Sequence, residues 1–242
     1  MRARDPKDRL IVALDVESLS QAEALLDRLQ GIVGTYKIGP QLFTASGPAA
    51  VELVQKRRGS VFLDLKFHDI PHTVAGAVRE ATRLGAAMLD VHASGGSPML
   101  KAAAEAARAA AREFSVVKPL CLAVTVLTSL DRALLQRELN VPLSVEGHAL
   151  HLSQLAKAAG LDGCVCSPQE IRALRNALGP DWAIVTPGVR RAGSGADDQA
   201  RVATPEAAIR AGADYLVVGR PITAAPDPKA AASVILEAIA QA

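Results

Sequence analysis

The stretch FLDLKFHDIPHTV, residues 62–74, runs from an apolar segment into charge and then into a proline. Its first half reads as a buried strand. Asp64 and Lys66 are two positions apart, so on a strand both point to the same side. Asp69 follows three residues after Lys66, past the expected strand end, where periodicity does not place it. Pro71 suits the first turn of a helix, where its missing N–H is not needed. Two carboxylates and an ammonium at the mouth of a buried strand are costly unless they pair or do chemistry. This unit of strand, charged loop and helix decides the fold, because the rest of the chain repeats it.

RLIVALDV (9–16) reads as a first strand, followed by helical SLSQAEALLDRLQG, with Ser20 and Glu23 spaced as a capping box and Gly31 as a stop. TYKIG (35–39) precedes the helix PAAVELVQKRRG, and SVFLDLK (60–66) precedes TVAGAVREATRLG. AAMLDVHAS (86–94) leads into MLKAAAEAARAAAREF, and KPLCLAVTVLTS (118–129) leads, after a longer connection, into EGHALHLSQLAKAAG. DGCVCS (162–167) is followed by PQEIRALRNALG, and WAIVTPG (182–188), after a long loop, by TPEAAIRAG. ADYLVVGRPI (213–222) and DPKAAASVILEAIAQA close the series. About eight strand–helix units predict an α/β fold, a TIM (β/α)8 barrel, with residues 1–242 as a single domain. The strands are near-continuous apolar runs, as parallel strands covered on both faces should be. A doubly wound sheet competes, but no G-x-G-x-x-G turn follows the first strand.

Apolar residues make up 50% of the 242 and charged residues 21%, which predicts a sizeable core. A net charge of +2 and 3% aromatics give no argument for a nucleic-acid partner. The apolar stretches fall short of a membrane span, and LIVAL is too short for a signal segment, so no membrane is expected. Cys121, Cys164 and Cys166 cannot build a disulfide framework and read as buried thiols. A soluble, cytoplasmic protein is the expectation.

In a barrel, chemistry collects at the C-terminal strand ends. Asp15, Lys37, Asp64 and Lys66 fall there, with Thr125 and Thr128 in or after the fifth strand, Pro187 and Arg190 after the seventh, and Gly219 and Arg220 after the eighth. Asp90 and His92 could line the interior or play a buried structural role. An ion-pair network plugging the barrel mouth would give much the same pattern. TPGVRRAGSGADDQARVATP (186–205) is long, Gly-rich and polar, and Arg190, Arg191, Gln199 and Arg201 could meet an anion there. The Gly219 N–H and Arg220 suit phosphate; a solvated Arg-rich loop is the plainer reading. His148 and His151 carry no metal motif and read as solvated or capping.

LDLKFHDIPHTV resembles the D-x-K-x-x-D-I-P-x-T signature of the orotidine 5′-monophosphate decarboxylase family. ALDV, YKIG, VHASGG, TVLTS, TPGVR, a Gln nine residues after that Arg, and VVGRPI occur in the family's order over nearly the whole chain. The length resembles the stand-alone bacterial type. The resemblance implies decarboxylation of orotidine 5′-monophosphate to uridine 5′-monophosphate, the last step of de novo pyrimidine nucleotide synthesis, with no cofactor and no metal. Residue by residue, it implies catalytic charges at Lys37, Asp64, Lys66 and Asp69, with Lys66 the proton donor. Asp15 and Lys37 would contact the ribose, Thr128 the pyrimidine with Pro187 nearby, and Arg190, Gln199, Gly219 and Arg220 the phosphate. Asp69 and Ile70 would reach the partner's site in a homodimer, and the 186–205 loop would close over the phosphate. His72 departs from relatives that often carry Asn. Two alternatives stand beside it: a Mg²⁺-dependent sugar-phosphate decarboxylase or aldolase of the same barrel superfamily, and a non-catalytic nucleotide-binding barrel. The DIPHT stretch and the spacing to Gln199 favour the pyrimidine nucleotide.

Overall fold

The computed structural model describes residues 5–190 and 202–242. Eight parallel strands close on themselves in sequence order: β1 (Leu10–Ala13), β2 (Thr35–Ile38), β3 (Ser60–Phe67), β4 (Met88–His92), β5 (Leu120–Val124), β6 (Gly163–Val165), β7 (Ala183–Thr186) and β8 (Tyr215–Val218). The ring is shut by β8 pairing with β1, Val217 lying beside Ile11. This is the TIM barrel that the eight units predict.

The strands are apolar on both faces because both faces are buried. One set of side chains packs outward against the helices, with Leu10, Val12, Tyr36, Leu63, Leu89 and Val91 among them. The alternate set fills the interior: Ile11 and Ala13 from β1, Phe62 from β3, Met88 from β4, Leu122 from β5, Val185 from β7, and Tyr215 and Val217 from β8. Phe62, Ile11 and Leu122 are fully buried, each worth roughly 1.5–3 kcal/mol relative to exposure.

The helices start where local chemistry says they should. Pro40, Pro48, Pro71, Pro205 and Pro228 occupy first turns, where fixed φ helps and no N–H is lost. Ser144, Thr204 and Asp227 cap their helices by accepting from backbone N–H groups. The first long helix, Leu19–Leu29, corrects the capping box expected from Ser20 and Glu23. Ser18 is the cap and accepts from the Gln21 N–H, while Gln21 Oε1 accepts from the Glu17 N–H. Glu23 instead pairs with Arg57 at 2.7 Å.

All three cysteines are free and buried. Burial pushes the Cys121 thiol up to about 12. Among the described residues no helix is long and apolar enough to cross a membrane.

Candidate active site

The site continues the interior columns upward. Ala13 is followed two residues on by Asp15, Phe62 by Asp64, Met88 by Asp90 and Val217 by Gly219. Each step keeps the inward direction, so polar groups arrive where the barrel opens. There a cavity of about 460 Å³ is lined by Asp15, Lys37, Asp64, Lys66, Thr128, Pro187, Arg190, Gly219 and Arg220. Nine sequence-predicted residues from six strands and their loops are thus brought together.

Four of them form a chain of alternating charge. Lys37 Nζ lies 2.8 Å from Asp15 Oδ1 and 3.1 Å from Asp64 Oδ2. Lys66 Nζ contacts the other Asp64 oxygen, Oδ1. The Lys37 and Asp64 side chains are each 10% exposed, against 32% for Lys66 and 54% for Asp15. Burial alone would push Lys37 down, but Asp64 and Asp15 together outweigh it and hold the ammonium above its ordinary range. Burial would raise Asp64, yet Lys37, a bond with Asp90, and Lys66 draw it below the usual carboxylate value. The pair is ionised on both sides.

Lys66 does not continue a plain strand. Its φ is +50°, a left-handed conformation costing a non-glycine residue about 1–3 kcal/mol. The β3–β4 register shifts between Leu63 and Phe67. Asp64 and Lys66 do meet, but through this irregularity rather than by simple alternation. The Lys66 backbone N–H donates to Asp90 Oδ1 at 2.8 Å. Asp90 is fully buried, and burial followed by the Asp64 charge pushes its carboxyl well above the ordinary value. His92, also on β4, is lowered by burial and then by His68 and Lys66.

Gly39, at the end of β2, escaped the sequence reading of the site. A Cβ there would lie 2.9 Å from Lys37 Nζ and 3.0 Å from Asp15 Oδ1. The sequence signal is a glycine two residues after a strand-end lysine. Val124, Val126 and Cys166 also line the cavity.

Asp69 and Ile70 do not join the network within one chain. Asp69 Oδ1 accepts from the Ile70 N–H at 2.6 Å, and Ile70 is 66% exposed. Pro71 then opens the helix Pro71–Arg83 as expected. Gln199, Arg191 and Arg201 lie outside the described residues. The two ends of their loop are tied by a bridge between Val189 and Ala203, with the Arg190 N–H donating to the Ala203 carbonyl at 2.9 Å. Gly219 caps the short helix Arg220–Thr223. His148 and His151 stack 6.5 Å apart, and Ser144, not a histidine, caps their helix. Among the described residues no group of three or more His, Cys, Asp or Glu side chains comes together to hold a metal ion.

Alternating charges at the C-terminal mouth of a closed (β/α)8 barrel, beside a cavity edged with guanidinium groups, define an enzyme of the barrel class. The chain belongs to the orotidine 5′-phosphate decarboxylase / HUMPS family, whose model matches residues 8–235. It is 58% identical to the orotidine 5′-phosphate decarboxylase of Moorella thermoacetica over 229 residues, 95% of this chain and 91% of that one. It is 52% identical to that of Syntrophotalea carbinolica, covering 98% of this chain and 97% of the relative. The crystal structure of orotidine 5′-phosphate decarboxylase from Lactobacillus acidophilus superposes with a TM-score of 0.85 at 37% identity, covering 96% of this chain and 99% of the other.

Proposed function

We infer that this chain is a carboxy-lyase that converts orotidine 5′-monophosphate into uridine 5′-monophosphate and CO₂. The observation that carries the reading is the Asp15–Lys37–Asp64–Lys66 chain lining one cavity with Arg190, Gly219 and Arg220. The family description couples two groups, so the full-length relatives named as the pyrimidine decarboxylase decide between them.

In the proposed mechanism the C6–carboxylate bond breaks, CO₂ leaves, and the electron pair remains on C6. Lys66 Nζ, the more open ammonium of the network, stabilises that charge and then gives its proton to C6. Solvent returns the proton to the amine. Asp64 crowds the substrate carboxylate, and loss of CO₂ relieves the repulsion. No cofactor takes part. Asp15 and Lys37 hold the ribose, and Thr128 and Pro187 meet the pyrimidine. Arg190, Gly219, Arg220 and Gln199 hold the phosphate, whose remote binding energy organises the reacting centre. Closure of the loop that carries Gln199 excludes water.

We further propose one barrel domain acting as a homodimer in the cytoplasm. The exposed Ile70 and the position of Asp69 outside its own cavity support placing both at the partner's site. The free, buried cysteines fit a reducing compartment.

The ultraviolet absorbance change on mixing the protein with orotidine 5′-monophosphate tests the activity. It should persist in excess EDTA; loss restored by Mg²⁺ would favour a metal-dependent sugar-phosphate enzyme. Lys66→Ala should abolish turnover and leave nucleotide binding measurable; intact turnover would remove Lys66 as proton donor.

A further inference from the structure

One buried charge-bearing group takes no part in the mechanism above. Asp90, on β4, is 0% exposed. Its Oδ1 accepts the Lys66 backbone N–H at 2.8 Å. Its Oδ2 is buried and has no hydrogen-bond partner. Yet the Asp90 and Asp64 side chains lie within hydrogen-bonding reach of each other. Two ionised carboxylates cannot bond, since neither carries a donor. One proton removes the difficulty. The orphaned oxygen gains a partner, and a like-charge contact becomes a charge-assisted hydrogen bond.

The surroundings say which of the two carries the proton. From β3, Asp90 meets Asp64 and Lys66; from β5, its register partner is Leu122, and the Cys121 thiol feels its charge. Among the described residues no ammonium pairs with the Asp90 carboxyl, whereas Asp64 is held between Lys37 and Lys66. Burial and the Asp64 charge therefore raise Asp90, and the lysines keep Asp64 ionised. Both Asp64 oxygens already face ammonium groups, so a third bond fixes the plane of the carboxylate.

We propose that Asp90 is a positioning residue: Oδ1 holds the N–H of left-handed Lys66, Oδ2–H donates to the Asp64 carboxylate, and the two bonds set the ammonium and the carboxylate that face the substrate. The inference rests on the reading of Lys66 and Asp64 as the reacting pair.

Asp90→Leu keeps the branching and heavy-atom count of the side chain and removes both bonds. Asp90→Asn keeps an acceptor for Lys66 and a donor for Asp64. With circular dichroism confirming the fold, Asp90→Leu should lower kcat about tenfold or more while KM stays within about threefold, because the phosphate and ribose contacts are untouched. Asp90→Asn should recover turnover to within about threefold of the natural enzyme. The infrared carbonyl band of a neutral carboxylic acid should be present in the substrate-free enzyme at neutral pH and missing from Asp90→Asn. A band that survives that substitution, or full turnover in Asp90→Leu, would overturn the proposal. So would an Asn variant as slow as the Leu one. If Asp90→Leu does not fold, the band and the Asn variant decide alone. Normal turnover in Lys66→Ala would bring down the catalytic reading instead, and the infrared result would still report on the Asp90 proton.

Discussion

Replacing Gly39 by alanine adds one methyl group to the crowded corner between Asp15 and Lys37. The backbone permits it, since φ is −91° and ψ is 179°, a conformation any residue adopts. The new Cβ would stand 2.9 Å from Lys37 Nζ and 3.0 Å from Asp15 Oδ1, against 3.4 Å for ordinary contact, so the two groups must yield by 0.5 and 0.4 Å. Which one moves follows from burial. Lys37 is 10% exposed and anchored by Asp64 at 3.1 Å. Asp15 is 54% exposed and can swing toward solvent. The damage therefore falls first on the Asp15–Lys37 pair and the ribose contact assigned to it.

A misplacement of about 1 Å in a catalytic constellation costs about 10²-fold, so half of that predicts roughly a tenfold fall in kcat/KM, about 1.4 kcal/mol. Most of it should be a rise in KM. Stability should change by no more than about 1 kcal/mol, since Asp15 can yield toward solvent and replacing a glycine cap by alanine costs less than about 1 kcal/mol. Steady-state kinetics on orotidine 5′-monophosphate gives the loss. A double-mutant cycle with Asp15→Ala gives its route: once Asp15 is truncated, adding Gly39→Ala should cost less than about threefold. A kcat/KM within twofold of the natural enzyme for Gly39→Ala, or full additivity with Asp15→Ala, would refute the reasoning.

The Asp90 carboxyl keeps its proton to higher pH in the folded chain than its ordinary value of 3.8. Folding above that value takes up a proton, so this group lowers stability as pH rises until its folded pKa is passed. Asp90→Asn should accordingly gain in Tm relative to the natural protein between about pH 4 and 7; a pH-independent gap measured by calorimetry would count against it. At the opposite barrel end, Arg175 Nη2 lies 2.5 Å from Asp214 Oδ2, and the guanidinium also donates to the carbonyls of Gly179, Trp182 and Gly212. Arg175→Leu should cost roughly 3 kcal/mol by removing the charge-assisted bonds to Asp214 and to these carbonyls, lowering Tm by about 6–12 °C; an unchanged melt would show that the bonds add nothing. Asp64→Asn removes the repulsion toward the substrate carboxylate, so it should slow turnover while strengthening orotidine 5′-monophosphate binding relative to uridine 5′-monophosphate. Equal effects on both ligands would exclude ground-state repulsion by Asp64. Mixing Lys66→Ala with Asp69→Ala protein should restore activity through hybrid dimers that hold one intact site; no recovery after subunit exchange would place Asp69 elsewhere.

The eight strands were legible because burial on both faces leaves apolar runs that need no tertiary knowledge. Their ends were not. The reading of 118–129 as one strand overshoots Leu120–Val124, because the inward column carries on into cavity wall after ladder pairing stops. Ser20 and Glu23 have the spacing of a capping box, but Arg57, more than thirty residues away, claims Glu23. Lys66 was found by type and position, whereas its positive φ depends on an acceptor in β4 that no local pattern reveals. Gly39 is invisible for the same reason. Its missing side chain matters because Asp15, arriving from the end of β1, meets Lys37 beside it. The residues assigned to the chemistry are read from type and strand-end position; those assigned to position them come from contacts between strands.

Charge arithmetic connects these features. Asp15, Lys37, Asp64 and Lys66 are two carboxylates and two ammonium groups, so the chain of contacts sums to zero only if Asp90 is neutral. An ionised Asp90 would leave the buried end of the network with excess negative charge, and the Lys66 ammonium would be drawn down toward it, away from the cavity. With Asp90 protonated, Asp64 alone holds Lys66 from below, and the ammonium stays at the cavity wall with 32% of its side chain exposed. In the proposed mechanism the substrate carboxylate then arrives at a site already balanced, and its negative charge is the surplus that departure of CO₂ removes. The left-handed backbone at Lys66, costing about 1–3 kcal/mol, is the strain that aims this one ammonium. It persists because Asp90, fixed in the buried middle of β4, receives the N–H that the strand ladder gives up.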